Sequence, residues 1–218
     1  MKDIQYIIWD WNGTLLNDVS LCITAINHLL SQEGIPTVLD KEAYQKVFQF
    51  PIIQYYEKLG FDFTKSSFDT LSNQYMAYYQ PKSLQCELHE GAYDVLANFH
   101  KQGYKQAILS ASKLENLLIQ VRQYDITEYF DHILGLDNIH AHSKLQLAKN
   151  FFSSLHIDKE HVVVIGDSVH DSEVAKQLGC HCILIANGHE HKDKLLQTGC
   201  CVVDTIEEVA SILKKESK

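Results

Sequence analysis

The segment Tyr6-Ile7-Ile8-Trp9-Asp10-Trp11-Asn12-Gly13-Thr14 limits most sharply what this chain can become. An apolar run without polar alternation reads as a strand covered on both faces, the usual state in a parallel sheet. Asp10 then falls at the carboxyl end of that strand, where open α/β sheets bind their ligands. A carboxylate placed there is costly unless it is paired, holds a metal or does chemistry. For Asp10 alone, an Asx-turn closing the strand is an equally good account.

The same design recurs down the chain. Lys105-Gln106-Ala107-Ile108-Leu109 reads as a strand ending at Ser110, and Val162-Val163-Val164-Ile165-Gly166 as one ending at Asp167. Shorter strands are expected near His132 to Gly135, Cys182 to Ile185 and Cys201 to Val203, with helical patterns between them. One of those helices starts at about Lys144 and carries Leu145, Ala148, Phe151, Phe152 and Leu155. Strands alternating with helices predict an α/β fold, a doubly wound parallel sheet with right-handed crossovers.

Residues 17 to 82 break this rhythm: they hold all 3 prolines and no strand-like run. Asp18 is expected to cap a helix with Val19, Cys22, Ile23, Ile26, Leu29 and Leu30 on its apolar face. Asp40 opens a second helix, Pro51 suits the first turn of a third, and Ser67 starts a fourth that Pro81 closes. The expected organisation is an α/β core of residues 1–16 and 83–218 with an all-helical insertion at 17–82. Residues Lys214 to Lys218 are expected to fray.

Bulk properties remove several function classes. The net charge is -9 and no Lys/Arg-rich run is present, so nucleic acid is not an expected partner. Nothing approaches the ~20 apolar residues of a membrane span. The first residues lack a basic flank and a small-residue cleavage site, which predicts a cytoplasmic chain. Cys180, His181, Cys182, His189, His191, Cys200 and Cys201 do not follow finger or ribbon spacing, so the cysteines read as reduced, small core residues. Most of the 12 histidines read as surface or loop residues.

The polar residues at the strand ends form a set: Asp10 and Asn12, Ser110 and Ser112, Asp167 and Asp171, with Lys144 at a helix start. Lysine there opposes the helix dipole and suits the position only if it points at an anion. Each has a bland reading: a helix cap for Ser112, a strand-end turn for Asp167, a solvated stem for Lys144. Their joint placement at strand ends points to one site.

In this order the residues resemble the four motifs of the haloacid dehalogenase superfamily. Asp10-Trp11-Asn12-Gly13-Thr14 resembles the first, and Ser110 in Ile108-Leu109-Ser110-Ala111-Ser112 the second. Lys144 in His142-Ser143-Lys144-Leu145 resembles the third, and Gly166-Asp167-Ser168-Val169-His170-Asp171 the fourth. The helical insertion resembles a type 1 cap, which places the chain near phosphoglycolate phosphatases, β-phosphoglucomutases and phosphonatases. The resemblance implies a Rossmann-like core, a Mg²⁺ site and a cap that closes over substrate. It implies that Asp10 attacks phosphorus to form an aspartyl-phosphate. It further implies that Asp10, the Asn12 carbonyl and Asp167 hold Mg²⁺, with Asp171 nearby or bound through water. Ser110, the Ala111 amide and Lys144 would hold the phosphate. A small phosphorylated metabolite is the implied partner, and a monomer or weak homodimer the expected state.

The chain departs from the pattern at one position. Phosphatases of this family carry Asp two residues after the nucleophile, as the acid that protonates the leaving oxygen. Asn12 stands there, and an amide cannot shuttle a proton at neutral pH. General acid–base help is worth about 10²–10⁴-fold. A Mg²⁺-dependent phosphatase is the expected function, one selective for good leaving groups or borrowing an acid such as His170. A phosphonatase-like enzyme is the alternative, because phosphonatases also have Trp after the nucleophile, as Trp11 is here. They need a cap lysine, for which Lys41, Lys46, Lys58 and Lys65 are available without a match to that role. A phospho-ligand-binding protein that no longer turns over is the third reading. Haloacid dehalogenation, which needs no metal, fits the fully acidic fourth motif poorly. The cap aromatics Phe48, Phe50, Tyr55, Tyr56 and Phe61 read as helix packing rather than substrate contacts.

Overall fold

The structure is a computed structural model and describes residues 3–38, 40–136, 144–154 and 157–213. Among these, β1 (Tyr6–Trp9), β2 (Lys105–Lys113), β3 (His132–Leu136), β4 (Val162–Gly166), β5 (His181–Ile185) and β6 (Cys201–Val203) form one sheet in the order β3-β2-β1-β4-β5-β6. Every pairing is parallel, and β1 lies inside the sheet with Ile8 opposite Ala107 of β2 and Val164 of β4.

The unbroken apolar run of β1 follows from this place. Ile7 and Trp9 join an apolar cluster with α5 (Ala92–Lys101), α6 (Leu114–Gln123) and α10 (Ile206–Ile212), through residues such as Leu96, Phe99, Leu117 and Val209. Tyr6 and Ile8 face the other side, against Ala148 and Phe151 of α7 (Lys144–Ser154) and Val174 and Leu178 of α8 (Val169–Leu178). Burying each large apolar side chain contributes about 1.5–3 kcal/mol, so a polar residue on either face of β1 would be selected against. A short helix, α9 (Lys192–Gln197), links β5 to β6.

Between β1 and α5 lie α1 (Val19–Gln32), α2 (Lys41–Val47), α3 (Ile52–Leu59) and α4 (Phe68–Ser83). They pack around an apolar cluster of their own that includes Ile26, Leu30, Tyr44, Tyr55 and Leu71. Asp40 and Ser67 cap α2 and α4 as expected, accepting from the amides of Ala43 at 2.8 Å and Thr70 at 3.2 Å. Pro51 stands just ahead of α3, at its N-cap. No described helix is long and apolar enough to cross a membrane.

Three details differ from the sequence reading. Asp18 sits at the N-cap of α1 but makes no side-chain capping bond, because its carboxylate is engaged elsewhere. Pro81 does not end α4. It sits two residues before the final Ser83, where its missing N–H removes one bond from a helix of 16 residues. The second strand runs on past Ser110 to Lys113, with an irregular register against β3 between Leu109 and Lys113. The expectations for Leu155, for residues 214–218 and for His142 and Ser143 fall outside the described residues.

Candidate active site

The strand order sets Asp10 and Asp167, each the residue just after the carboxyl end of its strand, β1 or β4, beside Ser110 of β2, where regular pairing with β3 breaks off. The Asp10 amide continues the ladder by donating to Ile165 O at 2.8 Å. Lys144, at the first turn of α7, crosses to them. Its Nζ lies 2.5 Å from Asp10 Oδ1 and 2.6 Å from Asp171 Oδ1. Asp171 is held from behind, its Oδ2 accepting from Ser168 Oγ at 2.6 Å and the Ser168 amide at 3.1 Å. Asp167 accepts from Thr14 Oγ1 at 3.1 Å and from the His189 amide at 2.5 Å.

Carboxylate oxygens of Asp10, Asp167 and Asp171 come within 4.8 Å of one another. Burial, with Asp171 and Asp167 beside it, raises Asp10 to about 7 against the pull of Lys144. Burial likewise raises Asp167 to about 6. Burial also acts on Asp171, but Lys144 and Ser168 outweigh it and hold that carboxyl below the ordinary range. Three buried carboxylates thus stand together, with Lys144 paired to Asp10 and Asp171 and with the His189 amide and Thr14 on Asp167. An all-oxygen, net-negative set of this kind suits a hard divalent cation. The close approach also explains Gly13. Its φ is +74°, and a Cβ there would lie 2.3 Å from Asp167 Oδ2 and 2.4 Å from His189 Cδ2.

Asn12 is fixed by a second network. Its amide nitrogen donates to Asp18 Oδ2 at 2.8 Å and to the Tyr79 hydroxyl at 2.9 Å, and its oxygen accepts from Ser112 Oγ at 2.7 Å. Asp18 also accepts from the Gly13 amide at 2.9 Å and the Tyr79 hydroxyl at 2.5 Å. His189 Nε2 lies 3.3 Å from Asp18, and His189 Nδ1 lies 2.9 Å from the Tyr44 hydroxyl. Burial pushes His189 down, but Asp18 outweighs it and lifts the imidazole to about 9. Asp18 is held low by the same partner in spite of burial. Tyr79 of α4 therefore ties the inserted helices to the turn after β1, and Tyr44 of α2 ties them to the loop after β5.

Between the strand ends and those helices lies a cavity of about 490 Å³. Asp10, Asn12, Ser110, Ala111, Lys144 and Asp167 all line it, while Asp171 sits behind Lys144.

Residues 7–185 match the model of the haloacid dehalogenase-like hydrolases. The chain belongs to that family. A phosphoglycolate phosphatase from Aliivibrio fischeri is 23% identical over 202 residues, covering 89% of each chain. The pyrophosphatase PpaX of Halalkalibacterium halodurans is 22% identical over 196 residues, again covering 89% of each. A haloacid dehalogenase-like family hydrolase from Streptococcus pneumoniae superposes with a TM-score of 0.84 at 20% identity, covering 98% of this chain and 100% of that one.

For a haloacid dehalogenase-like hydrolase, three placements alter the sequence reading. Phe48 and Phe50 do pack, with ring centroids 5.5 Å apart, yet both also line the cavity. Both lie in the link between α2 and α3, which runs along the cavity, so each ring packs on the other and also faces the cavity. None of the candidate cap lysines lines the cavity. Lys41 bonds Asn187, Lys46 bonds Glu42, Lys58 bonds Gln49 and Lys65 lies beside Asp62. Trp11 is wholly buried and donates its indole N–H to Gln120 Oε1 at 2.8 Å.

Asp18 and His189 are site residues that sequence reasoning missed. Asp18 looked like a helix cap, and His189 was counted among the loop histidines; it is in a loop but buried. A signal existed for His189, since it follows the carboxyl end of β5, on the side of the sheet where ligands bind. None existed for Asp18, whose capping position satisfies every local rule.

Proposed function

We propose that this haloacid dehalogenase-like hydrolase is a divalent-cation-dependent phosphoric monoester hydrolase working through an aspartyl-phosphate, with Mg²⁺ as the cation and residues 17–82 as its cap. The observation that carries this reading is the close trio Asp10, Asp167 and Asp171, with Lys144 bonded to Asp10 and Asp171. The names of the phosphoglycolate phosphatase and pyrophosphatase relatives support the same chemistry.

In this reading Asp10 attacks phosphorus in line with the leaving oxygen. Ser110, the Ala111 amide and Lys144 receive the phosphoryl oxygens. Lys144 is oriented by Asp171, which keeps the ammonium charged and aimed at Asp10. Asp10, the Asn12 carbonyl and Asp167 would hold the cation. When bound, it supplies positive charge that screens Asp10 from the incoming phosphate and keeps the nucleophile ionised. Asn12 donates hydrogen bonds but no proton, so a leaving group must depart without its help.

The test is phosphate release with and without Mg²⁺ from native protein and from Asp10→Asn, with intact-mass detection of phosphorylated protein. Mg²⁺-dependent release and a phosphorylated native chain are expected, and both vanish in Asp10→Asn. Full activity in Asp10→Asn would overturn the assignment.

A further inference from the structure

We propose that the substrate is an aryl monophosphate: a small phosphate ester whose leaving group is a flat, uncharged phenol. This rests on the phosphatase reading above and adds the substrate class, which two independent observations define.

The first is the charge of the cavity wall. The inserted segment contributes Phe48, Phe50, Ile52, Tyr75 and Met76 to the lining, with Asn73 and Gln80 as neutral polar groups, and no lysine or arginine among the described residues. The lysines that do line the cavity, Lys113 and Lys144, come from the core: Lys144 is buried in its ion pairs, and Lys113 stands half-exposed at the rim in a solvent-screened pair. Lys113 pairs with Glu115 at 2.8 Å, and Lys144 pairs with Asp10 and Asp171. The His189 ring is held by Asp18. On the side of the inserted helices, a second anionic group beside the phosphate would meet rings, Ile52 and Met76, with the neutral amides of Asn73 and Gln80 in place of a cation, and would be poorly compensated for its lost hydration. A flat ring meets surface that matches it. Phe50 is already stacked on His170 at 4.9 Å and 29°, and Tyr75 on Tyr79 at 5.8 Å and 12°. Aromatic faces of this kind favour a further ring.

The second observation is Asn12. Its amide is locked between Asp18, Tyr79 and Ser112, so it is ordered and cannot act as an acid. The leaving oxygen then takes the electron pair of the broken bond with no proton from Asn12. A phenol, with pKa about 10, leaves as its anion far more readily than an alkoxide, whose parent alcohol is close to water at about 15.7. In the proposed step an Asp10 oxygen bonds to phosphorus, the P–O(aryl) bond breaks, and its electron pair goes to the phenolate oxygen, which takes a proton from water. A second water then hydrolyses the acyl phosphate, releasing inorganic phosphate and restoring the Asp10 carboxylate.

The experiment has two arms, both on the full chain with Mg²⁺. The first compares phosphate release from phenyl phosphate, ethyl phosphate, phosphoglycolate and pyrophosphate. The expected kcat/KM for phenyl phosphate exceeds that of the alkyl esters ethyl phosphate and phosphoglycolate by at least about 10²-fold, the lower end of what general acid catalysis supplies, and exceeds that of pyrophosphate because the wall disfavours its second anionic group. The second arm measures calorimetric binding of benzylphosphonate and phosphonoacetate, which cannot be turned over, to native protein and to Met76→Arg. Met76 lines the cavity and is 36% exposed, so the substitution brings a cation to the wall without opening the core. Benzylphosphonate is expected to bind tighter than phosphonoacetate by at least about tenfold, and Met76→Arg to shift the ratio toward phosphonoacetate. Preference for phosphoglycolate or pyrophosphate overturns the substrate class and leaves the phosphatase reading standing. No release from any ester, with benzylphosphonate still preferred, overturns the phosphatase reading and keeps the assignment of the cavity. Equal or weaker binding of benzylphosphonate overturns the proposal outright.

Discussion

Asp18 Oδ1 and His189 Nε2 lie 3.3 Å apart with both side chains buried, and the pair spans the first turn after β1 and the loop after β5. Held in the fold at about 9 against an ordinary 6.5, His189 contributes its full stabilisation below pH 6.5 and loses it as pH rises through 9. Asp18, held below its ordinary 3.8, contributes above that value and loses its share only as the medium becomes more acid. His189→Gln is expected to cost about 1.5–3 kcal/mol near neutral pH, because Asp18 keeps the donors of Gly13, Asn12 and Tyr79. Urea midpoints of native and variant protein should converge above pH 9; a gap that stays constant with pH would show that the imidazole is not charged in the fold.

Replacing Asn12 by aspartate is the obvious way to supply the missing acid, and the structure changes what that substitution should do. The Asn12 amide stands 2.8 Å from Asp18 Oδ2. A carboxylate in its place turns a donor–acceptor contact into two facing anions. Asn12→Asp is expected to lose about 1–3 kcal/mol and to gain little turnover of alkyl phosphates. The double variant Asn12→Asp with Asp18→Asn should recover part of both. A coupling below about 0.5 kcal/mol in the stability cycle would mean the two side chains are independent.

The raised values of Asp10, about 7, and Asp167, about 6, set protons and cation in competition. Mg²⁺ should raise the thermal midpoint clearly at about pH 8 and much less at about pH 5.5, and chelation should matter only in the first case. The expected check is Tm with excess Mg²⁺ or EDTA at both pH values. An equal shift at both would place the cation away from these carboxylates.

Gly13→Ala combines an unfavourable backbone with a collision. A side chain at positive φ costs about 1–2 kcal/mol, and the added Cβ would meet Asp167 and His189. Misplacing Asp167 should lower turnover about 10²-fold and abolish the Mg²⁺-induced rise in Tm, while the circular dichroism of the fold persists. Native-like Mg²⁺ response in this variant would remove Asp167 from the cation site.

The fold was legible because its signals are local. The central strand announces itself in Tyr6-Ile7-Ile8-Trp9, since a strand buried on both faces needs apolar residues at every position. Asp40 and Ser67 could be read as caps because capping involves residues three apart. Family membership was legible from four short motifs in order, and the match over residues 7–185 agrees with it. Asp18 misled because a cap position and a site position look alike in sequence: only the partners 5, 61 and 171 residues away, Gly13, Tyr79 and His189, decide between them. Tyr55, Tyr56 and Phe61 pack among the inserted helices as read, but Phe48 and Phe50 also line the cavity, because they sit in the link between α2 and α3, where helical periodicity gives no direction.

The sequence by itself determined the parallel sheet, the helical insertion and the residue types at the strand ends, because backbone periodicity and burial act over a few neighbouring residues. Only the tertiary structure decided that Lys144 bridges Asp10 and Asp171, that Asn12 is locked against Asp18, and that the inserted segment faces the site with rings and neutral groups and, among the described residues, no lysine or arginine. Charges buried within a few ångströms of one another interact strongly wherever they lie in the chain, and their distances exist only once the sheet has set the strand ends side by side.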